Sequence, residues 1–300
     1  MQFGVSERRA CKVTGQPRST QRSSREAPSA DGEAPEAFLR RFALEHPRQG
    51  YKRAFRAARE AGYQANLKRI HRLWREAGLK VPFKKRGKRR LGRGKVMGAH
   101  APIYENVIWA LDFQFDQTAN GGVLKLLNVI DEYSRECLAS FVARAIDAGG
   151  VIAILDGIVA ERGAPSYLHS DNGPEFIAHA LQAWCDEMGA TMYFTEPGQP
   201  WMNGRCEAFN SRLRDELLNG ELFASVTEAR LLSRRYRDGY NLTRAHSSLG
   251  YLSPSEFADL PLADQRRVLA NSAKRRGWYA KEFFRFPPIQ ELALVSSAVA

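Results

Sequence analysis

The sequence is short of cysteine, of long apolar runs and, over its first third, of acidic residues. Its four cysteines, Cys11, Cys137, Cys185 and Cys206, are scattered through 300 residues without a C-x-x-C pair. That spacing argues against a disulfide framework and a cysteine-rich zinc site, and the thiols are expected to be reduced and mostly packed. No stretch approaches ~18 uninterrupted apolar residues, and the opening Met1-Gln2-Phe3-Gly4-Val5-Ser6-Glu7 carries no basic region ahead of an apolar one. Neither a membrane span nor a secretory signal is expected, so the chain reads as cytoplasmic with no membrane partner. Hydrophobic residues make up 44% and charged residues 26%. That is enough apolar material for one large cored domain or two ordinary ones, and it excludes wholesale disorder.

The scarcity of acid is local. Residues 1–100 hold 26 Lys and Arg against 8 Asp and Glu, whereas residues 101–300 hold 19 against 25, so the net charge of +12 arises almost wholly in the first third. Clustered cations gain affinity for nucleic acid by releasing phosphate counterions, and the asymmetry implies a nucleic-acid-binding front on a different kind of domain. A solvated basic tail is the plainer alternative.

Along the chain, Ser6 can cap and Gly15 can stop a short helix, and Pro17 opens a second helical start, a pair similar to part of a helix-turn-helix. Residues 23–35 have linker composition. Residues 49–61 read as a helix with Ala54, Phe55, Ala58 and Ala61 inward. After Asn66 as cap, Leu67, Ile70, Leu73, Trp74 and Ala77 recur at helical spacing, leaving Lys68, Arg72 and Arg75 largely off the apolar stripe. The run Lys84, Lys85, Arg86, Gly87, Lys88, Arg89, Arg90 cannot pack against itself and reads as an arm along a phosphate backbone, with a solubilising linker as the alternative.

Beyond residue 105 the period becomes that of strands. Val107, Trp109, Leu111, Phe113 and Phe115 fall on one face of residues 107–115, and Ile108, Ala110, Asp112 and Gln114 on the other. Strands over 123–130 and 136–143 complete an antiparallel meander. A helix (150–162), strand (166–169), helix (174–188), strand (191–195) and helix (204–218) follow. Three antiparallel strands and then alternating helices and parallel strands is the order of an α/β ribonuclease-H-like fold.

Three acids stand where that order converges: Asp112 inside the first strand, Asp171 just after the fourth, and Glu207 early in the last helix. Carboxylates converging from different elements suit two Mg²⁺ ions ~3.5–4 Å apart, because this hard cation prefers oxygen ligands. Spacing alone is poor support, since 25 acids fall among the last 200 residues.

The surrounding residues decide the matter. Trp109-Ala110-Leu111-Asp112-Phe113, residues 127–136 ending Asp131-Glu132-Tyr133-Ser134-Arg135-Glu136, His169-Ser170-Asp171-Asn172-Gly173-Pro174-Glu175-Phe176, and Pro197-Gly198-Gln199-Pro200-Trp201-Met202-Asn203-Gly204-Arg205-Cys206-Glu207-Ala208-Phe209-Asn210 closely resemble the DDE transposases of bacterial insertion sequences. More narrowly, the chain resembles the second-frame product of the two-frame elements related to retroviral integrases. Thirty-five residues separate Asp171 from Glu207, as the family pattern requires, and Arg214 stands where the family carries Lys or Arg. The resemblance continues through Tyr240-Asn241, Arg244, residues 246–251 and Pro254-Ser255-Glu256-Phe257. Arg205, Cys206 and Ala245 depart from it: relatives usually carry apolar residues at the first two positions and often proline at the third. The His/His/Cys/Cys zinc module of the retroviral relatives cannot be built, because only Cys11 precedes the core and His46, His71 and His100 have the wrong spacing.

The resemblance implies an integrase catalytic core of ribonuclease-H-like α/β fold behind all-helical DNA-binding units. The expected divisions are a partial helix-turn-helix and linker (1–35), a helical DNA-binding domain (36–83), a basic linker (84–104), the catalytic core (105–220), a C-terminal helical part (221–262) and an unassigned tail (263–300). It implies transposition by Mg²⁺-dependent 3′-end cleavage and strand transfer, with Asp112, Asp171 and Glu207 holding two ions and Mn²⁺ as a substitute. The partners would be terminal inverted repeats and target DNA, a second copy of the chain on DNA, and the first-frame product by fusion or binding. The setting would be the bacterial cytoplasm, on the nucleoid when bound. Asn210 and Arg214 follow Glu207 at i+3 and i+7 on one helical face, and both are expected to contact DNA; an ion pair is the alternative for Arg214. The competing reading is an inactive DNA-binding product of a decayed element that inhibits transposition.

Overall fold

The computed structural model describes residues 6–18, 34–81, 102–171, 173–194 and 203–275. The basic arm at 84–90 and most of the second helix of the partial helix-turn-helix lie outside them. Helix α1 (Glu7–Thr14) ends where expected, with Gly15 in the left-handed region at φ 67°, although the Ser6 side chain makes no capping bond.

The front contains a helical unit of α2 (Pro35–Glu45), α3 (Tyr51–Glu60) and α4 (Leu67–Glu76), whose core gathers Leu39, Phe42, Ala54, Ala58, Ala65, Ile70 and Trp74. Asn66 caps α4 by accepting from Arg69 N at 2.8 Å. The first of these helices is not predicted from the sequence. It opens with Pro35 in its first turn and Glu36 beside the positive helix end, features that merge locally with the Pro/Gly/Ser-rich linker before it. Ala61 is exposed rather than inward, because α3 stops one residue earlier and leaves it as the cap.

The core is one five-stranded sheet: β1 (Ile108–Gln117), β2 (Val123–Asp131), β3 (Cys137–Ala143), β4 (Tyr167–Ser170) and β5 (Thr191–Phe194) in the order β3-β2-β1-β4-β5. The first three run antiparallel, and β4 and β5 join parallel to β1. This is the ribonuclease-H-like arrangement. The alternation along β1 sends Trp109 and Leu111 into one layer with α5 (Ala148–Arg162) and α7 (His179–Met188), where Val151, Leu155, Leu181 and Trp184 lie. It sends Ala110 into the other, against Phe209 and Leu213 of α8 (Gly204–Leu213) and Tyr240 of α9 (Val226–Leu242). The single helix predicted over 174–188 is two, α6 (Pro174–Ile177) and α7, because Ala178 is extended at ψ 134°.

After α8 the chain widens into a π-type turn over Arg214–Leu218. Helices α10 (Pro254–Ala258) and α11 (Leu262–Arg275) close the described chain. The start of the unassigned tail is therefore a packed helix, with Val268 and Leu269 against Tyr133, Leu249 and Phe257. No helix among the described residues is long and apolar enough to cross a membrane.

The π-type turn is fastened to the end of α9 by a buried ion pair. Arg244 donates to Glu216 through Nε at 2.9 Å and Nη2 at 2.5 Å, the side chains being 4% and 9% exposed. Removing one partner strands the other charge away from water. Glu216→Ala is expected to cost about 3–5 kcal/mol in urea unfolding, and an apolar replacement of both residues is expected to recover most of that loss.

Candidate active site

A carboxylate in mid-strand needs partners, and the sheet supplies them in a row. The register sets Asp112 of β1 opposite Asn128 of β2, and Asn128 opposite Ser140 of β3. Ser140 Oγ donates to Asn128 Oδ1 at 2.8 Å, Asn128 Nδ2 to Asn210 Oδ1 at 2.7 Å, and Asn210 Nδ2 to Asp112 Oδ2 at 2.7 Å. Every donor in the chain points toward the acid. Gln114 Nε2 adds a bond to Asn210 O at 3.1 Å, holding α8 against the strand.

Asp171 follows the last residue of β4 and is exposed. Its Oδ1 accepts from Gly173 N at 3.1 Å. A Cβ at Gly173 would lie 3.1 Å from that oxygen and 3.3 Å from the Phe176 ring, so a larger residue would press on both by a few tenths of an ångström. Glu207 is exposed in the first turn of α8, where the positive helix end favours an acid. Cys206, Phe209 and Leu213 of this helix are buried against the sheet.

Asp112 feels the other two acids. Burial, then the charge of Asp171, pushes the Asp112 carboxyl up to about 6. Glu207 pushes the same way, against the Phe113 N–H and the Asn210 amide that hold it down. Among the described residues no three acidic, histidine or cysteine side chains are gathered closely enough to hold a metal ion as they stand. Asp171 and Glu207 are near enough for their charge to reach Asp112. An all-carboxylate donor set, half-buried on one side and exposed on the other, fits a hard divalent cation.

Two residues expected on DNA make contacts within the protein. Asn210 is 9% exposed, and its amide is engaged by Asn128 and Asp112; it supports the carboxylate from inside the protein. Arg214 donates through Nη1 to Asp116 Oδ2 at 3.0 Å and through Nη2 to the Phe115 carbonyl, the ion-pair alternative. Lys68, Arg72 and Arg75 are exposed on α4, with Arg72 lying 3.9 Å from Glu76. Sequence reasoning missed Asn128 and Ser140, which become legible only once the hairpin register places them beside Asp112. It also missed Glu132, which meets both His169 and Arg205.

Comparison with known proteins identifies the family. An integrase core domain family matches residues 104–200, and a second family of the same description matches 188–254. The chain is 37% identical over 270 residues to the 39.2 kDa protein of insertion element IS476 of Xanthomonas euvesicatoria, covering 90% of this chain and 76% of that one. It is 37% identical over 274 residues to the 31.7 kDa protein of insertion element IS407 of Burkholderia multivorans, covering 88% and 97%. The transposase for insertion sequence element IS904 of Lactococcus lactis is 27% identical over 224 residues, covering 70% and 87%. This chain belongs to the retroviral-integrase-like transposases of insertion sequences. Membership carries with it a transposition-related role in DNA integration.

For a transposase of this family, the burial of Asp112, with the nearby charge of Asp171 and Glu207, has a measurable consequence in the metal-free protein. The folded Asp112 titrates near 6 against an ordinary 3.8, so the unfolded chain ionises first as pH rises. The Asp112 contribution to stability is therefore greatest at low pH and falls between about pH 4 and pH 6. With chelator present, Asp112→Asn is expected to raise stability at pH 7 by about 1–3 kcal/mol and to flatten that slope, read by denaturant unfolding at a series of pH values.

Proposed function

We propose that this chain carries out metal-dependent cleavage at the 3′ ends of its element and joins the freed 3′-hydroxyl to a second phosphodiester. Asp112, Asp171 and Glu207 would hold a pair of Mg²⁺ ions. What supports the reading is the neighbourhood of Asp112 in β1: Asn210, three residues after Glu207 on α8, donates to its carboxylate, β4, which leads into Asp171, runs alongside β1, and the charges of Asp171 and Glu207 add to burial in pushing the Asp112 carboxyl up. Bound there, divalent ions would polarise the scissile phosphate and acidify the attacking water or hydroxyl.

The chain's own residues set the conditions for that chemistry. The row from Ser140 to Asn210 holds Asp112 at a fixed point in the sheet, while Asp171 and Glu207 remain exposed on the side from which DNA would approach. The nucleophile would be water or DNA rather than the protein. Burial keeps the nearby Cys206 thiol protonated by pushing its pKa far up, and Ser170 Oγ donates to the Asp171 carbonyl at 3.0 Å. No covalent protein–DNA intermediate is then needed. The basic front, including Lys68, Arg72 and Arg75, would bind the element ends, and assembly of copies on DNA would bring two ends together.

The test uses purified chain, Mg²⁺ and oligonucleotides carrying the element's ends. The unsubstituted protein is expected to cleave and join them. Asp171→Asn is expected to lower the rate by a factor on the order of 10³, as for loss of a major transition-state electrostatic contact, with end binding retained. End binding without cleavage by the unsubstituted protein would overturn the proposal in favour of an inhibitor of transposition.

A further inference from the structure

Just beyond β2, Glu132 is 5% exposed and makes two contacts that point in different directions. Its Oε1 lies 3.0 Å from His169 Nδ1 and its Oε2 accepts from Arg205 Nη1 at 2.5 Å. His169 precedes Asp171 by two residues, and Arg205 precedes Glu207 by two. We propose that Glu132 is a positioning residue that fixes the elements carrying Asp171 and Glu207 relative to each other, so that both acids face the same metal-binding space. The inference rests on the metal-binding reading above and extends it to residues outside the three acids.

The bond geometry explains how a contact two residues away can steer each acid. His169 is the penultimate residue of β4, so anchoring its ring fixes the strand end from which the chain runs on to Asp171. That ring also stacks on Tyr193 of β5, with centroids 4.3 Å apart and planes at 21°. On a helix, two residues turn the direction through about 200°. Holding Arg205 therefore sets the rotation of α8 about its axis rather than touching Glu207. The same helix is held three residues after Glu207, where Asn210 meets Asp112. Glu207 sits between these two fixed points.

Glu132 is itself anchored. Its N–H donates to the Ile108 carbonyl at 2.9 Å. Its own carbonyl accepts from Arg135 Nη1 at 2.7 Å, and Arg135 adopts φ 69°. Burial works against an ionised Glu132, and the His169 hydrogen bond together with the Arg205 charge outweighs it. A buried carboxylate that joins three elements is a stiff bracket, the role that partners of metal ligands commonly play.

The experiment measures Mn²⁺ binding to the full chain by the loss of free-ion paramagnetic resonance, alongside end cleavage as a function of metal concentration. Arg205→Ala, at a partly exposed position, and Glu132→Gln are each expected to weaken Mn²⁺ binding about tenfold. Cleavage should recover at raised metal concentration, and end binding should be unchanged. The double variant should be no weaker than Glu132→Gln alone, because both substitutions break the same link. Should Glu132→Gln fail to fold, Arg205→Ala decides the matter by itself. Wild-type Mn²⁺ affinity in the folded variants overturns the inference and leaves the metal reading standing. An unsubstituted chain that binds no Mn²⁺ overturns both.

Discussion

The structure is organised around the cost of placing a carboxylate in the middle of a β-sheet. Asp112 cannot be solvated there as it would be on a surface, and an unpartnered acid at such a depth would shed its proton only reluctantly. Cross-strand residues Asn128 and Ser140 and the helical Asn210 answer that demand with a directed chain of hydrogen bonds. This row also ties α8 to the sheet, so the device that stabilises one acid places the helix that bears another. Support for Asp112 and the position of Glu207 are one structural fact.

The turn between β2 and β3 shows the same economy. Asp131 accepts from the N–H groups of Tyr133 and Ser134 at 2.9 and 2.7 Å and from Asn106 N at 2.6 Å. Glu136 receives both terminal nitrogens of Arg162, at 2.8 and 3.0 Å, from the end of α5. Three acids in six residues thus serve three neighbouring elements. On the other side of the Asp171 turn, Glu175 pairs with Lys125, whose Nζ lies 3.9 Å from the centroid of the Phe113 ring and donates to the Ile146 carbonyl at 3.0 Å. Both ends of β2 therefore reach toward the segment that presents Asp171.

Much of this was legible in the sequence. The two faces of β1 followed from alternation alone, and the meander followed from strands separated by short turns. The strand order needed the handedness and adjacency rules that govern parallel crossovers. What stayed hidden were interactions fixed by register or by distance in space. Asn128 reads as one more residue of a buried strand until pairing sets it opposite Asp112. Arg205 reads as a departure from an apolar pattern until the fold places Glu132 beside it. Helix α2 was hidden for another reason: its proline start resembles the linker before it, and only packing of Leu39 and Phe42 against Ile70 and Trp74 makes it an element.

The charge asymmetry also acquires a finer meaning. A basic front suggests that its cations are all directed at DNA, yet three arginines of the helical unit face the rest of the protein. Arg48 pairs with Asp215, Arg56 with Glu256, and Arg53 Nε donates to the Ala245 carbonyl at 3.0 Å. Burial pulls the Arg53 guanidinium down to about 10, with Arg244 nearby adding to the effect. Cations that hold the helical unit to the core lie between α2 and α3 or along α3, whereas Lys68, Arg72 and Arg75 stand exposed on α4. Within the described part of the front, some arginines are thus drawn into contacts with the core while other basic residues stand exposed. Partly buried arginines fix where the unit sits, and exposed ones on the third helix of that unit leave a cationic face directed outward, where phosphate contact would release counterions without loosening the dock.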